Sequence, residues 1–330
     1  MKKQFRFGKL MMRCLTLALA IMMLSCSVLD VVAASPKSTK SAKATLAYTL
    51  VGLPEGRAVQ NFYIGSTYVY CTQRVNGTTY LNRLKIDGKT AVYKDRMTFK
   101  NCGHAQSLDC FSYNGENYFY LGCKADDSTD YYWSLQIARI KYEAGKTYDY
   151  TDLNRFTYMN YASKSSTRLG DTYRVACGGN SKYTIFRIQT KNSSKVTWSI
   201  YDTAKLNKLL DKSKTVSMNT AAARAACLYS FSSSVDAAIR PNGSFQGIDL
   251  STYSKLYTTG GADGQTPQIA KFNHNGTYLK LLKISNVGNK EIEGVQCKDD
   301  RVYFLIVTGT TSAAKKNEQK IYYVKESAFG

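Results

Sequence analysis

Gln106-Ser-Leu-Asp109 and Gln246-Gly-Ile-Asp249 are two copies of one pattern. Each leads into a strand-like run that reaches a glycine, Tyr118-Phe-Tyr-Leu-Gly122 in one case and Lys255-Leu-Tyr-Thr-Thr-Gly260 in the other. A near-identical third run follows, Gln136-Ile-Ala-Arg139 and Gln268-Ile-Ala-Lys271. Weaker copies flank them. Gln60 precedes Thr67-Tyr-Val-Tyr70 and Leu81-Asn-Arg83-Leu84, Thr172-Tyr-Arg-Val-Ala176 precedes Tyr183-Thr-Ile-Phe-Arg187-Ile188, and Glu293-Gly-Val-Gln296 precedes Val302-Tyr-Phe-Leu-Ile-Val307 and Lys320-Ile-Tyr-Tyr-Val324. Copies begin at residues 60, 106, 246 and 293, with a less distinct start near 168. Their mean spacing is about 58 residues, with about four strands each, which is the signature of a propeller blade. The fold class predicted is all-β: a β-propeller of five four-stranded blades. The competing architecture is a β-sandwich whose similarities are accidental.

Asn-Gly or Asp-Gly pairs at 76–77, 87–88, 114–115, 242–243, 263–264 and 275–276 supply tight turns, since these residues tolerate positive φ. The long step between the third and fourth copies holds Ala204-Lys-Leu-Asn-Lys-Leu-Leu210 and Ala221-Ala-Ala-Arg-Ala-Ala-Cys227, both helix-favouring. They are read as a short helical insertion between the third and fourth blades. An unassigned strand from Ala44 to Val51 precedes the first copy and is free to pair with the last blade and close the ring.

The 330 residues are 44% apolar and 12% aromatic, with 26 Tyr and only 4 Pro, which excludes a disordered or low-complexity chain. The net charge is +21. Residues 1–34 read as a secretory signal peptide: Lys2, Lys3, Arg6, Lys9 and Arg13 form a basic start, an apolar run follows, and Val32-Ala33-Ala34 presents small residues for a cut after Ala34. The alternatives are a retained membrane anchor, or a lipoprotein cut at Cys26. Five basic residues and Asp30 leave with the leader, so the mature charge falls from +21 to +17. Residues 35–43, rich in Ser and Lys, are expected to be a disordered basic arm, and 44–330 a single propeller domain.

Seven cysteines remain in the mature chain, an odd number with no CxxC pair, so they are read as buried thiols rather than a disulfide or zinc framework. No HExxH, GxSxG, P-loop or GxGxxG occurs, and no cofactor or metal is expected. Ser312-Ala-Ala-Lys315 matches an acyl-transfer pattern but lacks its partners, and Cys102 or Cys110 beside His104 lacks an orienting group for a thiol nucleophile. His104 is expected to make a structural hydrogen bond.

The stretches Gly103-His104-Ala-Gln-Ser-Leu-Asp109, Tyr148-Asp-Tyr-Thr-Asp-Leu-Asn-Arg-Phe-Thr-Tyr-Met-Asn-Tyr161, Thr197-Trp-Ser-Ile-Tyr-Asp202, Ser244-Phe-Gln-Gly-Ile-Asp249 and Glu291-Ile-Glu-Gly-Val-Gln296 resemble the helveticin J family, large heat-labile bacteriocins of lactic acid bacteria. The resemblance runs over most of residues 44–330. It implies killing of related Gram-positive bacteria without an established hydrolytic reaction, and it supplies no catalytic residues. A leader is a departure from the many members that look leaderless.

In a propeller, equivalent positions of the blades face one another. Gln60, Gln106, Asp109, Gln246, Asp249 and Glu293 are therefore predicted to form one polar ring, and the strand-end basics Arg83, Arg139, Arg187 and Lys271 a second. Such rings would bind a glycan or an anionic envelope polymer by many weak contacts; alternatively, the repeated Gln and Asp satisfy backbone groups between blades. The positive charge favours anionic wall polymers or a lipid surface as partner, and export argues against nucleic acid. The function expected is a secreted bacteriocin-like protein that binds an envelope and kills without being an enzyme. The alternative is a lectin-like adhesion module.

Overall fold

The computed structural model describes residues 29–30, 35–193, 195–233, 241–252 and 254–330. The leader reading thus falls almost wholly outside the described residues. Within them the chain folds as a five-bladed β-propeller. Blade 1 runs from the axis outward as Val59–Ile64, Tyr68–Val75, Thr78–Asp87 and Thr90–Lys100. Blade 2 is Leu108–Tyr113, Glu116–Ala125, Ser134–Ile140 and Asn154–Thr157. Blade 3 is Thr172–Gly179, Tyr183–Thr190, Val196–Asp202 and Cys227–Ser233. Blade 4 is Gly247–Leu250, Leu256–Gly260, Gln268–Phe272 and Tyr278–Ile284. Blade 5 is Ile292–Lys298, Arg301–Ile306, Gln319–Lys325 and, from the other end of the chain, Thr45–Val51.

Neighbouring strands within each blade are antiparallel, as short turns require. At the first hairpin of blade 2, Asn114 (φ 51°) and Gly115 (φ 78°) both take the left-handed conformation of a two-residue turn that matches the strand twist. Each of the five inner strands packs on the next, and the fifth packs on the first, so the ring is closed. Where inner strands approach most closely, side chains are excluded. A Cβ on Gly247 would stand 2.6 Å from the Gly294 carbonyl carbon of the next blade.

The N-terminal strand fulfils the expected closing role. Its Tyr48 registers with Ile321 of blade 5, while Thr49–Val51 pair in parallel with 90–92 of blade 1. Two details differ from the sequence reading. Ser38–Ala42, expected to be a disordered arm, adds a fifth, parallel strand to blade 4; its exposed edge position explains the polar composition that reads as disorder. The helices Thr203–Lys212 and Ala221–Ala226 interrupt blade 3 before its outer strand rather than separating blades 3 and 4. Asp202 caps the first of them by accepting from the Lys205 N–H, and Leu206 and Leu210 bury its inner face. Between these helices, Thr215–Ser217 joins the outer edge of blade 2. Leu29–Asp30 pairs in parallel with the outer strand of blade 3.

Among the described residues the apolar core divides into five clusters, one at each blade interface. Phe99 and Phe119 fill the interface of blades 1 and 2, Tyr120, Phe156 and Phe186 that of 2 and 3, and Trp198, Phe231 and Phe272 that of 3 and 4. Burial of each such side chain contributes roughly 1.5–3 kcal/mol, which is where the aromatic content is used. Cys71, Cys123 and Cys177 sit fully buried in these clusters.

Candidate functional site

A cavity of about 570 Å³ opens at the end of the central channel where the inner strands begin. Each blade contributes a polar residue to it: Gln60, Gln106, Arg174, Gln246 and Glu293. The Gln106 side-chain N–H donates to Gln246 Oε1 at 2.6 Å, and Gln246 donates to Glu291 Oε1 at 3.2 Å. Glu291 and Glu293 are two residues apart, so both project from one side of an extended segment, and both line the cavity.

Glu293 is 1% exposed. Among the described residues, its Oε2, Gln106 Oε1 and Gln60 Oε1 have no hydrogen-bond partner. Burial, and then the charge of Glu291, push the Glu293 carboxyl well above the usual range, with Arg174 and Gln106 offsetting part of the rise. Glu291 is raised too, chiefly by burial, while Lys315 and its bond from Gln246 oppose this. Burial draws Arg174 down to about 9.

Arg174 is held flat. It donates to the Phe245 carbonyl at 3.0 Å and lies 3.8 Å from the centre of the Trp133 ring. Arg187 lies over Phe245 at 4.0 Å. One wall is aromatic: Tyr131 stacks on Trp133 at 5.4 Å, and Trp133 donates its indole N–H to the Tyr173 hydroxyl at 2.9 Å. Tyr131 is 58% exposed at the rim. His104 makes the structural hydrogen bond expected of it, its Nδ1 standing 2.5 Å from the Tyr131 carbonyl oxygen. Burial and the neighbouring Arg174 pull His104 down to about 3, so it is neutral at physiological pH.

The two predicted rings are redistributed. Gln60, Gln106, Gln246, Glu293 and Arg187 meet in this cavity. Asp109 and Asp249 instead line a separate cavity of about 210 Å³ at the opposite end of the inner strands. Three residues on from Gln106 and Gln246 is about 10 Å along a strand, too far to share a ring with them. Asp249 accepts backbone N–H bonds from Gly179 (2.8 Å), Leu250 (2.8 Å) and Cys297 (2.6 Å) and so ties blades 3, 4 and 5 together. Burial raises both carboxyls, and the charge of Asp249 raises Asp109 further. The three N–H donors around Asp249 favour its ionised form and mark it as the ionised partner.

Arg83, Arg139 and Lys271 form no ring. They lie on the third strands of blades 1, 2 and 4, two strand spacings from the inner strand. Arg83 pairs with Asp95 at 2.5 Å, Arg139 with Asp211 at 2.8 Å, and Lys271 lies near the Tyr257 and Phe329 rings. Arg187 reaches the cavity because it stands one strand nearer the axis. Sequence reasoning missed Arg174, Trp133, Tyr131, Tyr173 and Glu291. The first four occur in one blade each, so no repeat flags them; Glu291 was legible as the alternating partner of Glu293. Among the described residues no grouping of three or more His, Cys, Asp or Glu could hold a metal ion.

The sequence model of the bacteriocin helveticin-J family matches residues 38–290. The chain belongs to the helveticin J family. No curated protein matches it. Similar solved structures include a GH43_1 enzyme from Xanthomonas citri (8% identity, covering 86% of this chain and 89% of that one, TM-score 0.43). Others are a family 117 glycoside hydrolase from Zobellia galactanivorans (8%, 85% and 88%, 0.44) and a GH93 α-L-arabinofuranosidase of Fusarium graminearum in complex with arabinobiose (11%, 84% and 76%, 0.36). At these identities the likeness is one of fold. These neighbours are glycoside hydrolases and the family label alone ties the chain to bacteriocins, so the expectations of a non-enzyme, and of a bacteriocin or adhesion module without hydrolytic activity, are set aside; hydrolysis is a property of those proteins, and for this chain it is a proposal.

Proposed function

We propose that this helveticin J family member is carbohydrate-active, with the axial cavity as a saccharide site and Glu293 and Glu291 as the carboxyl pair of a glycoside-cleaving reaction. The observation that carries the reading is Glu293: a buried carboxyl with an unpartnered oxygen, raised well above its usual range, beside a second carboxyl in a cavity walled by aromatic rings. Cleavage of a glycosidic bond needs one carboxyl that still holds its proton and one that has lost it. Glu293 is the more strongly raised and is the acid that protonates the leaving oxygen. Glu291, whose charge Gln246 and Lys315 favour, is the carboxylate that activates water or attacks the sugar carbon. Tyr131, exposed at the rim and backed by Trp133, offers the flat apolar surface on which a sugar ring packs, and Gln60, Gln106 and Gln246 offer amides for hydroxyl groups.

The test uses nitrophenyl pentosides and hexosides with the full chain and with Glu293→Gln. Release by the wild type on at least one of them, reduced by about 10²–10⁴ in the variant, is the expected result. No release from any glycoside, or an unchanged rate in the variant, overturns the reading. We also propose export with cleavage after Ala34, on the basic and apolar pattern of residues 1–34; a secreted form that begins at Ser35 is the expected mass, and an intact Met1 or a lipidated Cys26 contradicts it.

A further inference from the structure

The axial cavity continues beyond its rim. Tyr173 and Gln189, which line it, also line a second cavity of about 490 Å³. Lys191 is shared in turn between that cavity and a third, of about 680 Å³, set between the outer parts of blades 2 and 3. The second strands of both blades end here, at Ala125 and Thr190, and the outer strand of blade 2 ends at Thr157, so all three open on the face where the inner strands begin. Together they form one groove that leads from Glu293 outward.

The chemistry changes along the groove. The axial end is aromatic and amide-rich, whereas the outer end carries Lys124, Arg155 and Lys191. Arg155 is fixed in place, donating to Gln136 Oε1 at 3.0 Å and to the Leu153 carbonyl at 3.2 Å. Of the nearby acids, Asp171 pairs with Arg168, while Asp126 accepts from Ser128 at 2.6 Å and pairs with Lys191 at 3.8 Å, so Lys124 and Arg155 carry more of the uncompensated charge than Lys191. Lys124 (φ 57°) and Tyr158 (φ 52°), both lining this end, hold left-handed backbone conformations that only a constrained surrounding maintains.

We propose that the groove seats a saccharide chain of several units, and that the units distant from Glu293 carry anionic groups, carboxylates or phosphate esters, recognised by Lys124, Arg155 and Lys191. This rests on the axial cavity being a saccharide site; it adds the polymeric, anionic character of the substrate. A chain with so large a positive charge attracts any polyanion, so the test compares equal charge removed at two places. Lys124→Gln with Lys191→Gln alters the groove, and Lys205→Gln with Lys208→Gln alters exposed positions on the blade 3 helix.

Binding is read at physiological salt from the fluorescence of Trp133, with hexagalacturonate, poly(glycerol phosphate) and neutral xylohexaose as probes. At least one anionic probe is expected to bind about tenfold or more tighter than xylohexaose. The groove variant is expected to lose most of that difference, and the helix variant to stay within about twofold of wild type. Which anionic probe prevails separates carboxylate from phosphate. Equal losses in the two variants, or equal affinity for all three probes, overturn the proposal. Glu293→Gln keeps this selectivity whether or not cleavage is found, so the groove and the carboxyl pair fail separately.

Discussion

The two ends of the central channel are built from the same repeat and are used differently. At the end where the inner strands finish, Asp249 closes on three backbone N–H groups from three blades, and Gln296 accepts from the Ile64 N–H at 2.7 Å, tying blade 5 to blade 1. At the end where they start, Gln106 donates to Gln246 and Gln246 to Glu291, and buried oxygens of Gln60, Gln106 and Glu293 have no partner among the described residues. Buried polar groups are nearly always satisfied, and exceptions ask for a reason. Buried atoms without a partner occur at both ends, since Asp109 Oδ2 and Asn180 Nδ2 beside the smaller cavity also lack one among the described residues. What separates the ends is that the first gathers backbone N–H groups of three blades on one carboxylate, the clamp of the ring, whereas the second opens the larger cavity.

The sharpest way to break this contrast is to truncate one residue at each end. Asp249→Ala strands three backbone N–H groups between blades, each worth about 1–3 kcal/mol when left unpaired. We expect a loss of at least about 3 kcal/mol in urea unfolding. Gln246→Ala strands no backbone group and should cost under about 1 kcal/mol, while weakening saccharide binding at Trp133. Similar stability losses in the two variants would remove the distinction between clamp and site.

A pH titration sharpens it further. Asp109 and Glu293 carry carboxyls raised above their unfolded value of about 4. Their contribution to stability is therefore fully present below about pH 4 and is lost as pH rises toward their native values. His104 acts in the opposite sense: with its value depressed, its contribution is present above about pH 6.5 and is lost as pH falls toward 3. Above about pH 6.5 the contribution of His104 is fully present and no longer changes, so the carboxyls alone set the slope, and stability should fall with rising pH until their native values are passed. Asp109→Asn should flatten that fall by at most about 1.4 kcal/mol per pH unit, the slope one titrating group can give. An unchanged slope would mean that Asp109 is ionised in the native protein.

The blades were legible because a propeller repeats what its sequence repeats: strand starts, glycine positions and turn pairs recur, and Thr45–Val51 was identifiable as the strand left over. The site was half legible. Gln60, Gln106, Gln246 and Glu293 recur at the starts of inner strands and do converge. Depth along the axis and distance from it are invisible in a one-dimensional repeat. For that reason Asp109 and Asp249 were placed in the wrong ring, and Arg83, Arg139 and Lys271 in a ring that does not form. Arg174, which occupies the third blade's place among the amides, breaks the repeat and is seen only once the inner strands are side by side. The helices of blade 3 were recognisable by propensity, but their place before Cys227–Ser233 depends on a strand whose polar serines give little pattern.

The smallest effect is expected at the positions the repeat wrongly singled out. Lys271 stands on the third strand of blade 4, its ammonium 5.6 Å from the Tyr257 ring centre and 5.7 Å from that of Phe329. Burial lowers its pKa, so the charge gains little from its surroundings beyond the two rings. A partly exposed cation over an aromatic face contributes about 0.5–1 kcal/mol. Lys271→Gln keeps most of the side-chain volume and should change urea stability by no more than that. It lies on neither cavity of the channel, so saccharide binding should stay within about twofold of wild type, in contrast to Gln246→Ala. A binding loss as large as that of Gln246→Ala would show that the charge at the third strand reaches the axial cavity, and the division between inner and peripheral residues drawn from the structure would have to be abandoned.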